Sequence, residues 1–301
     1  MQIILLGTGA GGGMPQWNCG CTNCRAARAR GRGRTQSSVA VTADGEHWIL
    51  LNASPDLRVQ LAAHAPFWPQ EVRDSPIRAV VLTDGEIDHT LGLLLLREGT
   101  SRMPVYAPSG VAGLLSGPWP LTRVLEPYCG IDLRPLPSRR AAPLQDTKGQ
   151  SLGLTCTAVP LARRAPRYAP NAASDDCEVG LRIQDPATGA TFAYVPVPGQ
   201  VDDDVCTLAA DADLLCFDGT FWSDDELGEL GIPAPSARAM GHVPLGGPDG
   251  SLERLPRVGA KRTVLVHINN TNPILAAASP ERAQVAAAGV EIGEDGMHFT
   301  L

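Results

Sequence analysis

The sequence predicts an α/β fold in which two mixed sheets pack together and helices cover their outer faces. Short apolar and β-branched runs recur along the whole 301-residue chain, and helical patterns separate some of them. The two halves of the chain have similar patterns of paired strands and helices. No long low-complexity linker interrupts it, which favours a single domain over residues 1–301.

Ten runs have the composition of strands. They are Gln2–Leu6, Ser37–Thr42, His47–Asn52, Ala79–Leu82, Pro104–Ala107, Gly153–Ala158, Gly180–Ile183, Thr191–Val195, Asp213–Phe217 and Thr263–His267. Six segments have helical patterns: Ser54–His64, His89–Glu98, Gly110–Ser116, Asp202–Ala210, Ser251–Leu255 and Ser279–Ala288. Residues 135–150 and 231–247 are predicted to be long loops, a length that favours a role as lids.

Composition excludes several classes of protein. Hydrophobic residues make up 44% of the chain and charged residues 19%, which is typical of a folded core and not of disorder. The net charge of -7 argues against a nucleic-acid partner, and the one basic run, Arg25–Arg34, is predicted to be a solvated loop. No apolar run approaches the roughly 18 residues of a membrane span. The strand-like start, Met1–Leu6, predicts no signal peptide, so the cytoplasm is the expected location.

A glycine-rich loop, Gly7–Gly13, follows the first strand. Its spacing fits the dinucleotide-binding pattern, but the following residues, Met14–Cys19, do not form a helical pattern. A turn that needs positive φ beside a functional site is the better interpretation.

Three cysteines lie within six residues: Cys19, Cys21 and Cys24. Thiolates at this spacing can reach one ion at about 2.3 Å, and soft sulfur ligands suit zinc. The sequence therefore predicts a structural zinc that holds the N-terminal loop, at about residues 7–34, to the body of the protein. A redox pair or three unconnected surface cysteines are the alternatives. The remaining five cysteines are scattered, which does not indicate a disulfide scaffold.

Four acidic or imidazole side chains directly follow the predicted strand that ends at Leu82. They are Asp84, Glu86, Asp88 and His89. Loops at strand ends lie on a rigid scaffold, which is where α/β proteins place metal ligands and catalytic groups.

Three more candidates close apolar runs or lie in loops elsewhere: Asp218, His242 and His267. His267 ends a strand-like run near the C-terminus, and Asp218 ends another. The other histidines, His47, His64 and His298, lack acidic neighbours in their patterns and are predicted to be surface or core residues.

These residues resemble the signature of the metallo-β-lactamase fold superfamily, His-x-His-x-Asp-His after a strand with a later histidine at a strand end. Its positions here are Asp84, Glu86, Asp88 and His89, with His267 as the late histidine. Within the superfamily the chain is most similar to the pyrroloquinoline quinone (PQQ) biosynthesis protein B family. The matching blocks are Gly7–Gly9, Cys19–Cys24, Arg34–Ser38, Asp84–His89, Phe217–Trp222 and His267–Pro273. The resemblance implies an αββα sandwich.

The departure from the signature bears on the chemistry. In the hydrolases of the superfamily the first two histidines hold one metal, and here Asp84 and Glu86 replace them. No bridging aspartate is found in residues 193–199 either. The resemblance thus implies one active-site metal, held by Asp88, His89 and His267. Two histidines and a carboxylate suit nonheme Fe(II) oxygen chemistry, whereas two-metal hydrolysis needs ions about 4 Å apart.

The alternative is that Asp88 and His89 are a vestigial pair, or only cap the helix predicted over Thr90–Glu98. The family resemblance implies hydroxylation, dependent on Fe(II) and dioxygen, of the tyrosine ring of a Glu-Tyr cross-linked intermediate that derives from a precursor peptide. Zinc is expected in protein as purified, because it outcompetes iron at such ligands. A carrier of finished PQQ and a single-metal hydrolase are the alternative functions. The expected partner is an amino-acid-derived small molecule, or PQQ itself; a homodimer is left open.

The other polar residues are candidates for roles that support the metal site. Asp84 and Glu86 are candidates for acid/base groups, for shaping the pocket or for weak metal ligands. Asp218 and His242 resemble a proton-transferring pair in related phosphodiesterases, although Asp218 is equally well explained as a turn residue. The resemblance places the fourth zinc ligand at Asn270, where an amide oxygen is a poor partner for thiolate-bound zinc. Arg34, Arg58 and Arg167 are candidate clamps for substrate carboxylates.

Overall fold

Two seven-stranded sheets lie face to face, with helices on their outer sides. The computed structural model describes residues 1–161, 164–172 and 176–301. The strands of the first sheet, in spatial order, are β14 (His298–Thr300), β1 (Gln2–Gly7), β2 (Ser38–Thr42), β3 (Trp48–Leu51), β4 (Ile77–Val81), β5 (Met103–Ala107) and β6 (Ile131–Pro135). Those of the second are β13 (Glu291–Ile292), β12 (Thr263–Val266), β11 (Leu214–Asp218), β10 (Thr191–Val195), β9 (Val179–Gln184), β8 (Ser151–Pro160) and β7 (Ala142–Gln145).

The helices are short and lie in the connections. They are α1 (Thr22–Arg30), α2 (Leu57–Ala63), α3 (Ile87–Thr90), α4 (Ser109–Ser116), α5 (Leu121–Leu125), α6 (Asp203–Ala209), α7 (Glu226–Glu229) and α8 (Pro280–Ala287). Turns of 3₁₀ helix occupy Ala65–Phe67, Leu91–Leu96, Arg238–Met240, Leu255–Arg257 and Pro273–Leu275. Among the described residues no helix has the length and apolar character that crossing a bilayer requires.

Three apolar layers explain the continuous hydrophobic runs of the strands. Alternate residues of β1 point to opposite faces, so Ile3 and Leu5 enter the core between the sheets, whereas Ile4 and Leu6 pack under the helices of the first sheet. On β11, Cys216 faces the central core and Phe217 faces the outer core of the second sheet. Strands covered on both faces need apolar side chains at every position. The predicted αββα architecture is confirmed.

Parallel pairing brings three functional segments to one end of the sandwich. β4 runs parallel to β3 and β5 in the first sheet. β11 runs parallel to both β10 and β12 in the second. The loops that follow β4, β11 and β12 therefore emerge beyond the carboxyl ends of parallel strands, the usual position of ligand sites in α/β proteins.

Several sequence predictions about elements were wrong. The basic run predicted as a loop is largely helix α1, which Cys21 begins by accepting a hydrogen bond from the Cys24 N–H and which ends at Gly31 in the left-handed region. Strand β7 interrupts the loop predicted at residues 135–150. In place of the helix predicted over residues 251–255, the chain forms a 3₁₀ turn at Leu255–Arg257.

The helix predicted from His89 to Glu98 is divided into α3 and the 3₁₀ turn Leu91–Leu96. Gly92 explains the change of geometry, because it packs against the backbone of the β3–α2 connection. A Cβ atom at this glycine would lie 2.3 Å from the carbonyl oxygen of Ser54. The tight contact holds α3, and with it the candidate ligands, against the first sheet.

One buried carboxyl group ties the loop after β11 to the loop after β12. Glu226 accepts hydrogen bonds from the Trp222 N–H and the Thr271 hydroxyl. Burial raises the pKa of Glu226 to about 7, from an ordinary value of 4.5. The folded state thus holds this proton more tightly than the unfolded chain does, so this group's contribution to stability falls as the pH rises from about 4.5 to 7.

Replacing Glu226 by glutamine should remove this pH dependence, because an amide cannot ionise. Its oxygen can accept the hydrogen bond from the Trp222 N–H, and its NH₂ group can donate to the Thr271 hydroxyl oxygen. We expect Glu226→Gln to raise the free energy of unfolding at pH 8 by about 1–3 kcal/mol and to leave it unchanged at pH 4. Urea unfolding at both pH values measures this, with the exposed Glu253→Gln as the matched control. Equal pH dependence in both variants would contradict the assignment.

Candidate metal centre and active site

Three candidate ligands from distant parts of the chain meet at the carboxyl end of the sheets. Asp88 and His89 lie on α3, after β4, and His267 directly follows β12. Asp88 Oδ2 is 3.4 Å from His267 Nε2 and 3.9 Å from His89 Nε2. One ligand atom from each residue lies within 4.8 Å of the other two, a spacing that one metal ion can bridge.

Asp84 lies behind His89 and fixes the direction of its ring. Its two carboxylate oxygens are 2.7 and 2.9 Å from His89 Nδ1, and they also accept hydrogen bonds from the Thr83 hydroxyl and the Glu86 N–H. The other ring nitrogen, His89 Nε2, is buried and has no hydrogen-bond partner within residues 1–161, 164–172 and 176–301. An unpartnered buried nitrogen with its ring held from behind is the arrangement of a metal-ligating histidine.

His267 is held in a comparable way from the second sheet. Its backbone adopts φ 55°, a left-handed conformation that is uncommon for a residue with a side chain and that turns the chain into the site. Its Nδ1 lies 2.8 Å from the hydroxyl of Thr220, which leaves Nε2 to face Asp88. Thr220 was not among the sequence candidates; its position two residues after Asp218 was the available signal.

The charges of Asp88, His89 and His267 influence one another's pKa. Burial opposes ionisation of Asp88, but the neighbouring His89 charge and the hydrogen bond from His267 outweigh it and lower the Asp88 pKa. Burial likewise disfavours the His89 imidazolium, yet the negative charges of Asp84 and Asp88 raise its pKa to about 9. Burial lowers the pKa of His267. A metal ion bound at neutral pH would therefore have to displace a proton from His89.

A second acid–histidine pair adjoins the three residues. Asp218, at the end of β11, is 3.1 Å from Nδ1 of His242, and the His242 ring stacks on that of His267 with centroids 5.3 Å apart. Gly241, with φ 88°, makes the turn that brings His242 into the site. The pair predicted from the sequence is thus brought together. Because Asp218 also accepts from the Thr220 and Val243 N–H groups, its function as a turn residue is present as well.

Glu86, like Asp88, faces the open cavity. It lines the cavity, and burial with the nearby Asp84 charge raises its pKa to about 6. Its Oε1 lies 3.8 Å from a guanidinium nitrogen of Arg164, which also lies 3.4 Å from Glu178. The sequence interpretation missed Arg164 and Glu178, because neither belongs to a recognisable motif and both are far from Glu86 in the chain.

One cavity of about 820 Å³ is lined by Glu86, Arg164, His242 and the three candidate ligands. Its wall combines the three candidate ligands and His242 with apolar side chains of the segment after α7, which include Leu230, Ile232 and Met240. Part of the loop predicted as a lid at residues 231–247 thus borders the site. The glycine loop reaches it too: Gly12 and Gly13 have positive φ, as predicted, and a Cβ on Gly11 would lie 3.1 Å from Asp88 Oδ2.

The three candidate carboxylate clamps differ in position. Arg167 lines the cavity. Arg34 instead donates hydrogen bonds to Thr8 and to the Gly293 carbonyl, and Arg58 is exposed on α2 and does not line the cavity.

The cysteine cluster opens onto the same cavity. The sulfur atoms of Cys19, Cys21 and Cys24 lie within 4.8 Å of one another. The side-chain amide nitrogen of Asn270 lies 3.1, 3.6 and 3.3 Å from them, respectively. Asn270 therefore lies at the fourth corner of the tetrahedron that a zinc ion bound by the three sulfur atoms would need. Rotation of its side-chain amide by about 180° would direct the amide oxygen, in place of the nitrogen, toward that ion. Burial raises the pKa of Cys24 to about 11, a penalty that a bound cation would offset.

The remaining histidines lie outside the site. His47 pairs with Asp44 at the surface, at 2.7 Å, and His298 is exposed on β14.

Removing the group behind His89 should weaken metal binding without touching the cavity wall. We expect Asp84→Ala to reduce the affinity of the Asp88–His89–His267 site for Zn(II) about 10- to 100-fold, because the His89 ring loses the partner that orients it. Asp84→Asn keeps an acceptor and should retain more affinity. Competition with a chromophoric chelator measures the Zn(II) affinity, with Glu86→Gln as the matched control variant. If Glu86→Gln lost as much Zn(II) affinity as Asp84→Ala, Glu86 would be a ligand and the assignment would be contradicted.

Comparison with known proteins agrees with this architecture. The family model of the β-lactamase superfamily domain matches residues 47–268. A crystal structure of Zn²⁺-bound PqqB from Methylobacterium extorquens superposes with a TM-score of 0.89 at 37% identity, over 100% of both chains. A diphosphatase of the PhnP family shares the fold, with a TM-score of 0.69 at 22% identity over 99% of this chain and 96% of its own.

The sequence relatives extend over the full length. Coenzyme PQQ synthesis protein B of Cupriavidus necator is 46% identical over 310 residues, which cover 100% of this chain and 99% of the relative. The protein of the same name from Methylococcus capsulatus is 44% identical, with 100% of both chains covered. The chain therefore belongs to the coenzyme PQQ synthesis protein B family, within the β-lactamase superfamily.

Proposed function

We propose that this protein acts in PQQ biosynthesis as a nonheme Fe(II)- and dioxygen-dependent hydroxylase. Its substrate would be the tyrosine ring of a Glu-Tyr cross-linked intermediate that derives from the precursor peptide. The observation that carries the proposal is the convergence of Asp88, His89 and His267, two imidazoles and one carboxylate, on one side of an open cavity. This ligand set with free positions is the one that nonheme iron oxygenases use.

The arrangement favours one metal over two. Asp84 is occupied by His89 and therefore is not available as a ligand in the cavity. Val197, from the segment without a bridging aspartate, contributes an apolar side chain to the cavity wall. Two-metal hydrolysis requires ligands for a second ion about 4 Å away, and Asp84 and Val197 do not supply them. Asp218 and His242 also come within 4.8 Å of His267, but they are hydrogen-bonded to each other and share His267 with the first site.

Bound at these residues, a ferrous ion would supply the activation of dioxygen. The protein would contribute the positioning of the substrate and the control of protons. The Asp218 carboxylate holds Nδ1 of His242, so Nε2 of the same ring is the atom free to take up or deliver a proton in the cavity. The volume of about 820 Å³ lies in the range of small-molecule sites, which suits an amino-acid-derived substrate.

The alternative functions make less use of these features. A carrier of PQQ needs neither an oriented pair of histidines nor the Asp218–His242 pair. A single-metal hydrolase would use that pair, and this is the specific observation in its favour. It predicts turnover of phosphodiesters or esters with Zn(II) and no requirement for oxygen.

We propose a separate, structural zinc at Cys19, Cys21 and Cys24, with Asn270 as the fourth group. Asn23 supports the role, because its amide donates hydrogen bonds to the carbonyls of Asn270 and Asn272 and so docks α1 on the loop after β12. A metal at the cysteines would fix the same two segments together.

Anaerobic reconstitution tests the proposed hydroxylation. Protein loaded with Fe(II) and then given oxygen, ascorbate as a two-electron reductant and a tyrosine-containing analogue of the substrate should add one oxygen atom to the analogue, measured by mass spectrometry, while the second oxygen atom is reduced to water. His89→Ala should abolish the oxygen-dependent mass gain, because it removes a ligand, while the exposed His298→Ala should retain it. No mass gain in the wild-type protein, or full activity in His89→Ala, would refute the proposal.

The role of His242 predicts a different phenotype. His242→Asn should lower kcat about 10²- to 10⁴-fold, because the amide does not transfer protons. The iron content should stay that of the wild-type protein, since the proposed ligands remain. Metal analysis combined with steady-state kinetics measures both effects. Loss of iron together with activity would instead identify His242 as a metal ligand.

A further inference from the structure

We propose that Arg164, with Arg167 beside it in the cavity wall, forms a carboxylate-binding subsite that anchors an amino-acid-derived ligand next to the Asp88–His89–His267 triad. The nature of the ligand rests on the proposed function. The subsite itself follows from how Arg164 is held and from the charges around it.

Arg164 is positioned by three separate segments. Its guanidinium lies 3.4 Å from Glu178, immediately before β9, and 3.4 Å from the carbonyl oxygen of Ala239. It also packs against the backbone just before His242, where a Cβ on Gly241 would come within 3.2 Å of it. Glu86, two residues from Asp88, lies on its other side. The guanidinium is thus held between the metal loop and the His242 turn.

These contacts leave hydrogen-bonding capacity for a ligand. The Arg164 distances to carboxylates are 3.4 and 3.8 Å, whereas the bidentate pair of Arg139 and Asp204 at the surface has two contacts of 2.8 Å. About a third of the Arg164 side chain, 32%, is open to solvent. A guanidinium has five N–H donors in a planar fork. Arg164 donates long hydrogen bonds of 3.4 Å from Nε and Nη2 to Glu178 and from Nη1 to the Ala239 carbonyl, and its remaining N–H groups are available to a ligand.

The charge of Arg164 is also incompletely balanced. Glu178 is 97% buried as a residue, and its Oε2 has no hydrogen-bond partner among the described residues. Burial raises the pKa of Glu178 to about 8, so this carboxyl group is mostly protonated at neutral pH and does not neutralise the guanidinium.

A carboxylate is the ligand group that fits these features. The metal side of the cavity is acidic, with Asp88 and Glu86, and the whole chain has a net charge of -7. Arg164 and Arg167 are the permanently charged cations among the described residues of the cavity wall. An arginine fork matches a carboxylate bidentately, and anchoring at this point directs the rest of the ligand toward the triad. The Glu-Tyr-derived substrate of the proposed function carries such groups.

Binding of a matched pair of small molecules tests the subsite without any turnover. The probes are dihydrocaffeate and its methyl ester, which share a ring and differ in the negative charge. Isothermal titration calorimetry on the Zn(II)-loaded full-length protein at neutral pH gives both affinities. Because zinc does not activate dioxygen, the result is independent of whether the protein hydroxylates anything.

We expect the acid to bind the wild-type protein about tenfold or more tightly than the ester. Arg164→Gln should abolish this preference, Arg164→Lys should keep part of it, and the exposed Arg97→Gln, outside the cavity, should leave it intact. Should Arg164→Gln fail to fold, the lysine variant and Arg167→Gln provide the comparison. Equal affinities in the wild type, or a preference that survives Arg164→Gln, would overturn the proposal. So would tighter Arg164-dependent binding of inorganic phosphate than of the acid.

Discussion

The hydrogen bond between Asp84 and His89 is the constraint on which the site depends. A buried carboxylate is costly unless it is paired, and here the imidazole, the Thr83 hydroxyl and a backbone N–H satisfy it. Asn52, at the end of β3, extends the network by exchanging hydrogen bonds with Thr83. The strand ends of the first sheet thereby set the orientation of one ring, and that ring defines where a metal ion can lie relative to Asp88 and His267.

The two candidate metal sites are mechanically linked through one loop. His267 and Asn270 are three residues apart, and Asn272 donates hydrogen bonds to the carbonyls of Gly219 and Thr220. Thr220 in turn holds the ring of His267. An ion at the cysteines would order the loop that presents a ligand to the other ion, so occupancy of one site is expected to influence the geometry of the other.

The sequence predicts the parts of this site that depend on residue type and strand position. The candidate ligands Asp88, His89 and His267 follow apolar strands, and the αββα layering follows from the uniform hydrophobicity of those strands. It did not predict that Asp84 would turn away from the cavity, because this depends on a side-chain rotamer. Nor could it find Arg164, whose place is set by tertiary packing against Gly241. Helix α1 escaped prediction because a cysteine, an unusual cap, begins it.

The position of the cysteines in the cavity wall has a chemical consequence. Cys19 and Cys21 border the space in which the proposed reaction consumes oxygen. A free thiolate there would be exposed to sulfenic and sulfinic acid formation, and hydrogen bonds that lower the Cys21 pKa against the effect of burial favour the reactive form. Coordination to an ion would withdraw the sulfur lone pairs from this chemistry. A cation at the cysteines would therefore protect the protein from its own oxidant as well as fasten its N-terminal segment.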